Sequence, residues 1–144
     1  MKYFEDFEPG QKFVTRARTI TEADIVMFAA FSGDWYPLHT DAEYAKKSPF
    51  GERIAHGMLV LSATSGLLPL YEWAIVAFYG MDKVRFSLPT KIGDTLHVEI
   101  EVLEKEDKGD PGGVVTYRNV VKNQRGEDVG FSIVKIFIAK KPQE

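Results

Sequence analysis

His56-Gly57-Met58-Leu59-Val60-Leu61-Ser62-Ala63-Thr64-Ser65-Gly66-Leu67-Leu68 is the stretch on which the fold turns. Met58, Leu59, Leu61, Ser62, Ser65, Leu67 and Leu68 follow at helical spacing, and apolar residues surround almost all of the helix this predicts. Such a helix has to be buried on most sides. Pro69 marks a stop near its end, because a proline interrupts the backbone hydrogen bonding. What comes next in the chain must therefore cover it. Residues 74–79 and 83–88 are rich in β-formers, and Pro89 with Gly93-Asp94 marks a turn. Residues 95–104 then alternate: Leu96, Val98, Ile100 and Val102 face one way, and His97, Glu99 and Glu101 the other. Residues 105–113 form a polar, glycine-containing turn, and 114–122 and 129–139 complete a run of long antiparallel strands. Working back towards the N-terminus, Asp41 caps a short helix that carries lysines near its C-terminus. Thr21 and Asp24 are spaced for a capping box, followed by Ile25, Phe28, Ala29 and Ser32 up to a stop at Gly33. Residues 11–18 add an edge strand. The expected architecture is α+β, a buried helix on the concave face of a curled antiparallel sheet.

No composition shift, repeat or low-complexity tract divides the 144 residues, so one domain spanning 1–144 is expected. Hydrophobic residues make up 44% and charged residues 27%, an ordinary globular balance. A net charge of -3 supplies no basic field for a phosphate backbone, which argues against nucleic acid as a partner. The absence of cysteine rules out disulfides, thiolate metal sites and a cysteine nucleophile. The acidic N-terminus lacks the apolar stretch of a signal peptide. The longest apolar region, 58–70, is broken by Ser62, Thr64, Ser65, Gly66 and Pro69 and is too short to span a bilayer. A cytoplasmic protein with no membrane partner is the expectation.

Chemistry concentrates in Ser32-Gly33-Asp34-Trp35-Tyr36-Pro37-Leu38-His39-Thr40-Asp41, a loop held between two predicted helices. Pro37 has a fixed φ and makes Tyr36 extended, so Asp34 and His39 stand on opposite arms of a stiffened turn. A carboxylate and an imidazole within reach of one water can orient it and take its proton, and imidazoles titrate near neutral pH. By residue type alone, Asp34 is more often a cap or turn residue, and His39 a solvated loop histidine. Gly57 opens the buried helix, so its N–H lies at the positive end of the helix dipole with no side chain in front of it. That suits a developing oxyanion, and it equally suits a packing glycine. His56 reads as a structural residue at the helix start, and His97 as a surface residue. The histidines show no metal-ligand spacing. Ser32, Ser62 and Ser65 lack the context of an activated nucleophile.

Asp34-x-x-Pro37-Leu38-His39, Ile54-Ala55-His56-Gly57-Met58-Leu59, Ser65-Gly66-Leu67 and Phe86-x-x-Pro89 with Gly93-Asp94 occur in the order found in MaoC-like dehydratases. The chain resembles that family over about residues 10–138, and within it the (R)-specific enoyl-CoA hydratases. The resemblance implies a hot-dog fold, with protomers paired as a homodimer or a higher assembly of dimers. It also implies an enzyme that adds water across a trans-2-enoyl thioester to give a 3-hydroxyacyl thioester, reversibly. Asp34 and His39 would then hold the water that adds to C3 and handle the proton delivered to C2, and the Gly57 N–H would polarise the thioester carbonyl. Ser65 matches a serine whose hydroxyl supports the catalytic loop through Asp34. Trp35, Tyr36, Phe50 and His56 are candidates for contact with an acyl-CoA substrate, as are Tyr71, Trp73, Phe78 and Tyr79 on aromatic character alone. Arg53, Arg85 and Lys91 read as solvated, with coenzyme A phosphates as the alternative. No metal and no cofactor beyond the coenzyme A of the substrate are expected. Tyr36 departs from the asparagine that frequently precedes the family's proline, and leaves both acid/base groups in place. Two other functions stay open: a hot-dog thioesterase, and a non-catalytic acyl-thioester-binding subunit.

Overall fold

Thr21 and Asp24 close the capping box expected of them. The Asp24 N–H donates to the Thr21 hydroxyl at 3.3 Å, and the Thr21 N–H donates to the Asp24 carboxylate at 2.9 Å. With its first N–H groups satisfied, helix α1 runs over Glu22–Ser32, buries Ile25 and Ala29, and ends at Gly33. Gly33 takes a left-handed φ of 78°, which glycine adopts without a Cβ penalty, and its N–H donates to the Ala29 carbonyl at 2.8 Å. A computed structural model describes residues 1–143. Glu144, the last residue of the expected domain, lies outside them.

The segment between α1 and the next helix is not all loop. Pro37 occupies the first position of a short helix, α2 (Pro37–Thr40), where a missing N–H costs nothing. The Asp41 carboxylate then accepts from the N–H groups of Glu43 and Tyr44, both at 3.0 Å, and caps α3 (Ala42–Lys46). His39 therefore sits within α2, and the expected two-armed turn is corrected accordingly.

The helix α4 (Gly57–Ser65) is shorter than the stretch to Leu68 and is not buried all round. Leu59, Val60, Ala63 and Thr64 face the core, but Met58 is 62% exposed and Ser62 and Ser65 also face out. Two causes shorten it. The hydroxyls of Ser62, Thr64 and Ser65 donate to helix carbonyls within their own turns, at 2.8, 2.6 and 2.7 Å, in competition with the backbone. Pro69 also disfavours a helical Leu68.

The strands are β1 (Lys12–Val14), β2 (Arg18–Thr19), β3 (Ile75–Phe86), β4 (Thr95–Asp107), β5 (Gly112–Lys122) and β6 (Asp128–Ala139). They form one sheet in the order β1-β4-β5-β6-β3, with β2 also on β4, and every pairing is antiparallel. The predicted alternation holds on β4, where Leu96, Val98, Ile100 and Val102 are buried. Two departures matter. The expected edge strand splits in two, and Thr15 bridges the gap by donating its N–H to Val98 O and accepting the Val98 N–H on its hydroxyl. Residues 74–79 and 83–88 are parts of one bulged strand, because Lys83 adopts a φ of 54° and lets pairing with β6 continue. The inner face of the sheet, including Val115, Tyr117, Val134 and Ile136, packs on α4 to form the core.

Candidate active site

Asp34, His39 and His56 come from separate segments and meet in space. A side-chain ligand atom of each lies within 4.8 Å of those of the other two. The stop at Gly33 and the α2 turn place Asp34 and His39. Arg53 then pins His39 from below, its Nε donating to the His39 carbonyl at 2.8 Å while its guanidinium pairs with Glu22 at 2.6 Å. Arg53 is thus a structural clamp and not a solvated residue. No spacing in the sequence signals it.

Hydrogen bonds to carbonyls set both imidazole tautomers, since a carbonyl can only accept. His39 Nδ1 lies 2.7 Å from Ile54 O, so Nδ1 carries the proton and donates, leaving a lone pair on Nε2. His56 Nε2 donates to the Asp34 carbonyl at 2.9 Å. His56 is 2% exposed, and its ring stacks on His39 and touches Phe28. Although the histidines show no metal-ligand spacing in the sequence, His39 and His56 meet in space. Their rings are nevertheless stacked, centroids 3.8 Å apart and planes 27° from parallel, so their in-plane lone pairs do not aim at one shared centre.

The Asp34 carboxylate is exposed and accepts the Tyr36 N–H at 3.2 Å, while its own N–H donates to the Ser32 hydroxyl at 3.1 Å. His39 also lines a cavity of about 280 Å³ together with Phe50, Gly57, Phe86 and Thr90. At its wall the Gly57 N–H, first in α4, has no hydrogen-bond acceptor among the described residues. A Cβ on Gly57 would lie 2.9 Å from Phe86 Cε2, so any larger residue there has to displace the half-exposed Phe86 ring. Both readings of Gly57 are therefore compatible. Thr90, whose buried hydroxyl lacks a partner, joins the same wall and was not signalled by any motif.

Of the other expected contacts, Phe50 lines the cavity. Trp35 and Tyr36 are half exposed, and the Tyr36 hydroxyl shares a 3.1 Å hydrogen bond with that of Tyr44. Ser65 is a correction: its hydroxyl donates to Ser62 O at 2.7 Å, and among the described residues no hydrogen bond joins it to Asp34. It lies at the far end of α4 from Gly57, on the helix face that opens to a second cavity. Trp73 is core, and His97 is half-buried beside Glu99.

An antiparallel sheet around a central helix is the arrangement of the hot-dog fold. Residues 6–124 match the family described as MaoC like domain, and this chain belongs to that family. Protein MaoC of Klebsiella aerogenes is 44% identical over 108 residues, 74% of this chain. The matched part is 32% of that protein, so the chain spans about a third of its length. An (R)-specific enoyl-CoA hydratase of Aeromonas caviae is 33% identical over 133 residues, covering 92% of this chain and 97% of that one. Among solved structures, a monoamine oxidase regulatory protein from Archaeoglobus fulgius superposes with a TM-score of 0.92 at 45% identity, covering 98% of this chain and 96% of that one.

Proposed function

We propose that this chain hydrates a trans-2-enoyl-CoA to the (R)-3-hydroxyacyl-CoA and catalyses the reverse dehydration. The observation that carries the reading is the approach of the Asp34 carboxylate and His39, within 4.8 Å of each other through their ligand atoms, beside a cavity whose wall offers the free Gly57 N–H. Relatives named as hydratases support the same class of reaction.

Each group has a task its position allows. A water held between Asp34 and His39 Nε2 gives up a proton to the pair as its oxygen bonds to C3. The C2–C3 π electrons move towards the thioester carbonyl, whose oxygen becomes negative. The Gly57 N–H, aided by the α4 dipole, stabilises that oxygen where charge develops. The proton returns from the pair to C2, so one water is added overall and the thioester remains whole. Coenzyme A enters only as part of the substrate. Two copies of the chain are proposed to assemble through β3, an edge strand whose Val76, Phe78 and Tyr79 are exposed. No helix among the described residues is long and apolar enough to cross a membrane, and a cytoplasmic setting is proposed.

The test follows loss of enoyl absorbance when purified protein meets crotonyl-CoA, with a thiol reagent reporting any free coenzyme A. Absorbance loss without thiol release is expected. Thiol release would mean a thioesterase, and binding without turnover a non-catalytic subunit.

A further inference from the structure

Behind the catalytic cavity lies a second one of about 370 Å³, between the open face of α4 and the floor formed by β5 and β6. Val60 and Phe86 line both, so the two spaces stand back to back on either side of that pair. An acyl chain whose thioester sits at Gly57 has this space to run into. Most of its wall is apolar. The floor is not, because Asn119 and Ser132 are register partners across β5 and β6 and both line the cavity.

One of these two polar groups is buried without a partner within the protein. Asn119 Oδ1 is buried with no hydrogen bond. Ser132 is 4% exposed, and Tyr117, which shares the wall, is 1% exposed. Burial alone pushes the Tyr117 phenol above its ordinary range. Buried polar side chains are almost always paired, and an amide left unpaired in an apolar wall is costly. A polar atom of the occupant would remove that cost.

The chemistry of the wall narrows what the occupant carries. No charged side chain lines this cavity, so a carboxylate or ammonium would be buried without a counter-ion. A hydroxyl both donates and accepts, so it matches the Asn119 amide in either orientation together with the Ser132 hydroxyl. Resting on the hydratase reading of the neighbouring cavity, we propose that the substrate's acyl chain bears a neutral hydroxyl group, which Asn119 and Ser132 bind in the second cavity. Asn119 is then a specificity-determining residue.

Calorimetric binding of saturated acyl-CoAs of four to ten carbons tests this without needing turnover, each ω-hydroxyacyl-CoA being compared with its unsubstituted counterpart. At one or more chain lengths the hydroxylated member should bind about tenfold or more tightly, since a site built to bond a hydroxyl rejects the analogue that lacks it. Asn119→Leu should abolish that preference, and Ser132→Ala should reduce it. Asn119→Leu removes an unpaired amide from an apolar wall, so folding is not endangered, and the alkyl ligand reports on it directly. Equal or weaker binding of the hydroxylated member at every length overturns the proposal. So does a preference that survives Asn119→Leu, or a failure of either ligand series to bind. Crotonyl-CoA turnover separates the two readings: hydration with no hydroxyl preference overturns this inference and leaves the reaction standing.

Discussion

The rings of His39 and His56 lie stacked, with centroids 3.8 Å apart and planes 27° from parallel. His56 also donates from Nε2 to the carbonyl of Asp34 at 2.9 Å, so one buried side chain positions both Asp34 and His39, the proposed acid/base pair. It covers a face of one and tethers the backbone of the other. Its value lies in geometry, because its own Nε2 is committed to a carbonyl.

His56→Ala should therefore lower kcat by tenfold or more and destabilise the fold by about 2–4 kcal/mol, through a lost hydrogen bond and a cavity. His56→Phe keeps the stack and loses the tether, so it should recover most of the stability and little of the turnover. Thermal unfolding and crotonyl-CoA kinetics on the two variants separate these contributions. Full activity in both would show that the Asp34 backbone needs no tether.

Asp34→Asn and His39→Ala should each reduce kcat/KM by about 10²–10⁴-fold, the usual scale of positioned proton transfer. Because the pair acts on one water, the double variant should lose little more than the worse single one. Additive losses, measured in the same assay, would mean that the two groups work independently.

Gly57→Ala brings a Cβ to 2.9 Å from Phe86 Cε2, a contact that cannot stand without movement of the ring. A stability loss of about 1–3 kcal/mol is expected from the overpacking. Phe86→Leu should relieve much of it in the double variant. Chemical denaturation around a double-mutant cycle measures the coupling, and its absence would show that the helix start yields instead of the ring.

At the start of α1, burial alone would push the Asp24 carboxyl up. The hydrogen bonds from Thr21 and the Arg18 guanidinium outweigh it and hold the group below its ordinary value. A carboxyl depressed in the folded state adds stability that is complete above its unfolded value and disappears as pH falls through the folded one. Asp24→Asn should therefore destabilise the protein at neutral pH by about 1 kcal/mol, the scale of a lost cap, and by much less near pH 2. Unfolding midpoints of the two proteins that stay equally far apart at both pH values would contradict this.

Val76→Asp with Tyr79→Asp should convert a dimer to monomers if β3 is the pairing edge, because each charge would be placed against its copy in a dry contact. Light scattering of the variant reads this directly. An unchanged mass would move the interface elsewhere.

Local signals in the sequence carried far. The capping box at Thr21 and Asp24, the stop at Gly33, the cap at Asp41 and the alternation from Leu96 to Val102 each depend on neighbours within one turn or one strand, and the structure shows them all. That Asp34 and His39 lie near each other also follows from local spacing, because only four residues separate them. The length of α4 was not. Its Ser62, Thr64 and Ser65 look like ordinary helix residues, and their competition with the backbone is visible only once each hydroxyl has chosen a carbonyl.

The sequence alone determined that a mostly apolar helix would be covered by antiparallel strands. The tertiary structure alone decided that His56 would stack on His39, that Arg53 would clamp the His39 backbone, and that Asn119, its amide oxygen unpaired, would face one cavity beside Ser132. The physical reason is range. Caps and alternation are set by residues a few positions apart, whereas these contacts join residues whose approach depends on how the sheet closes over α4.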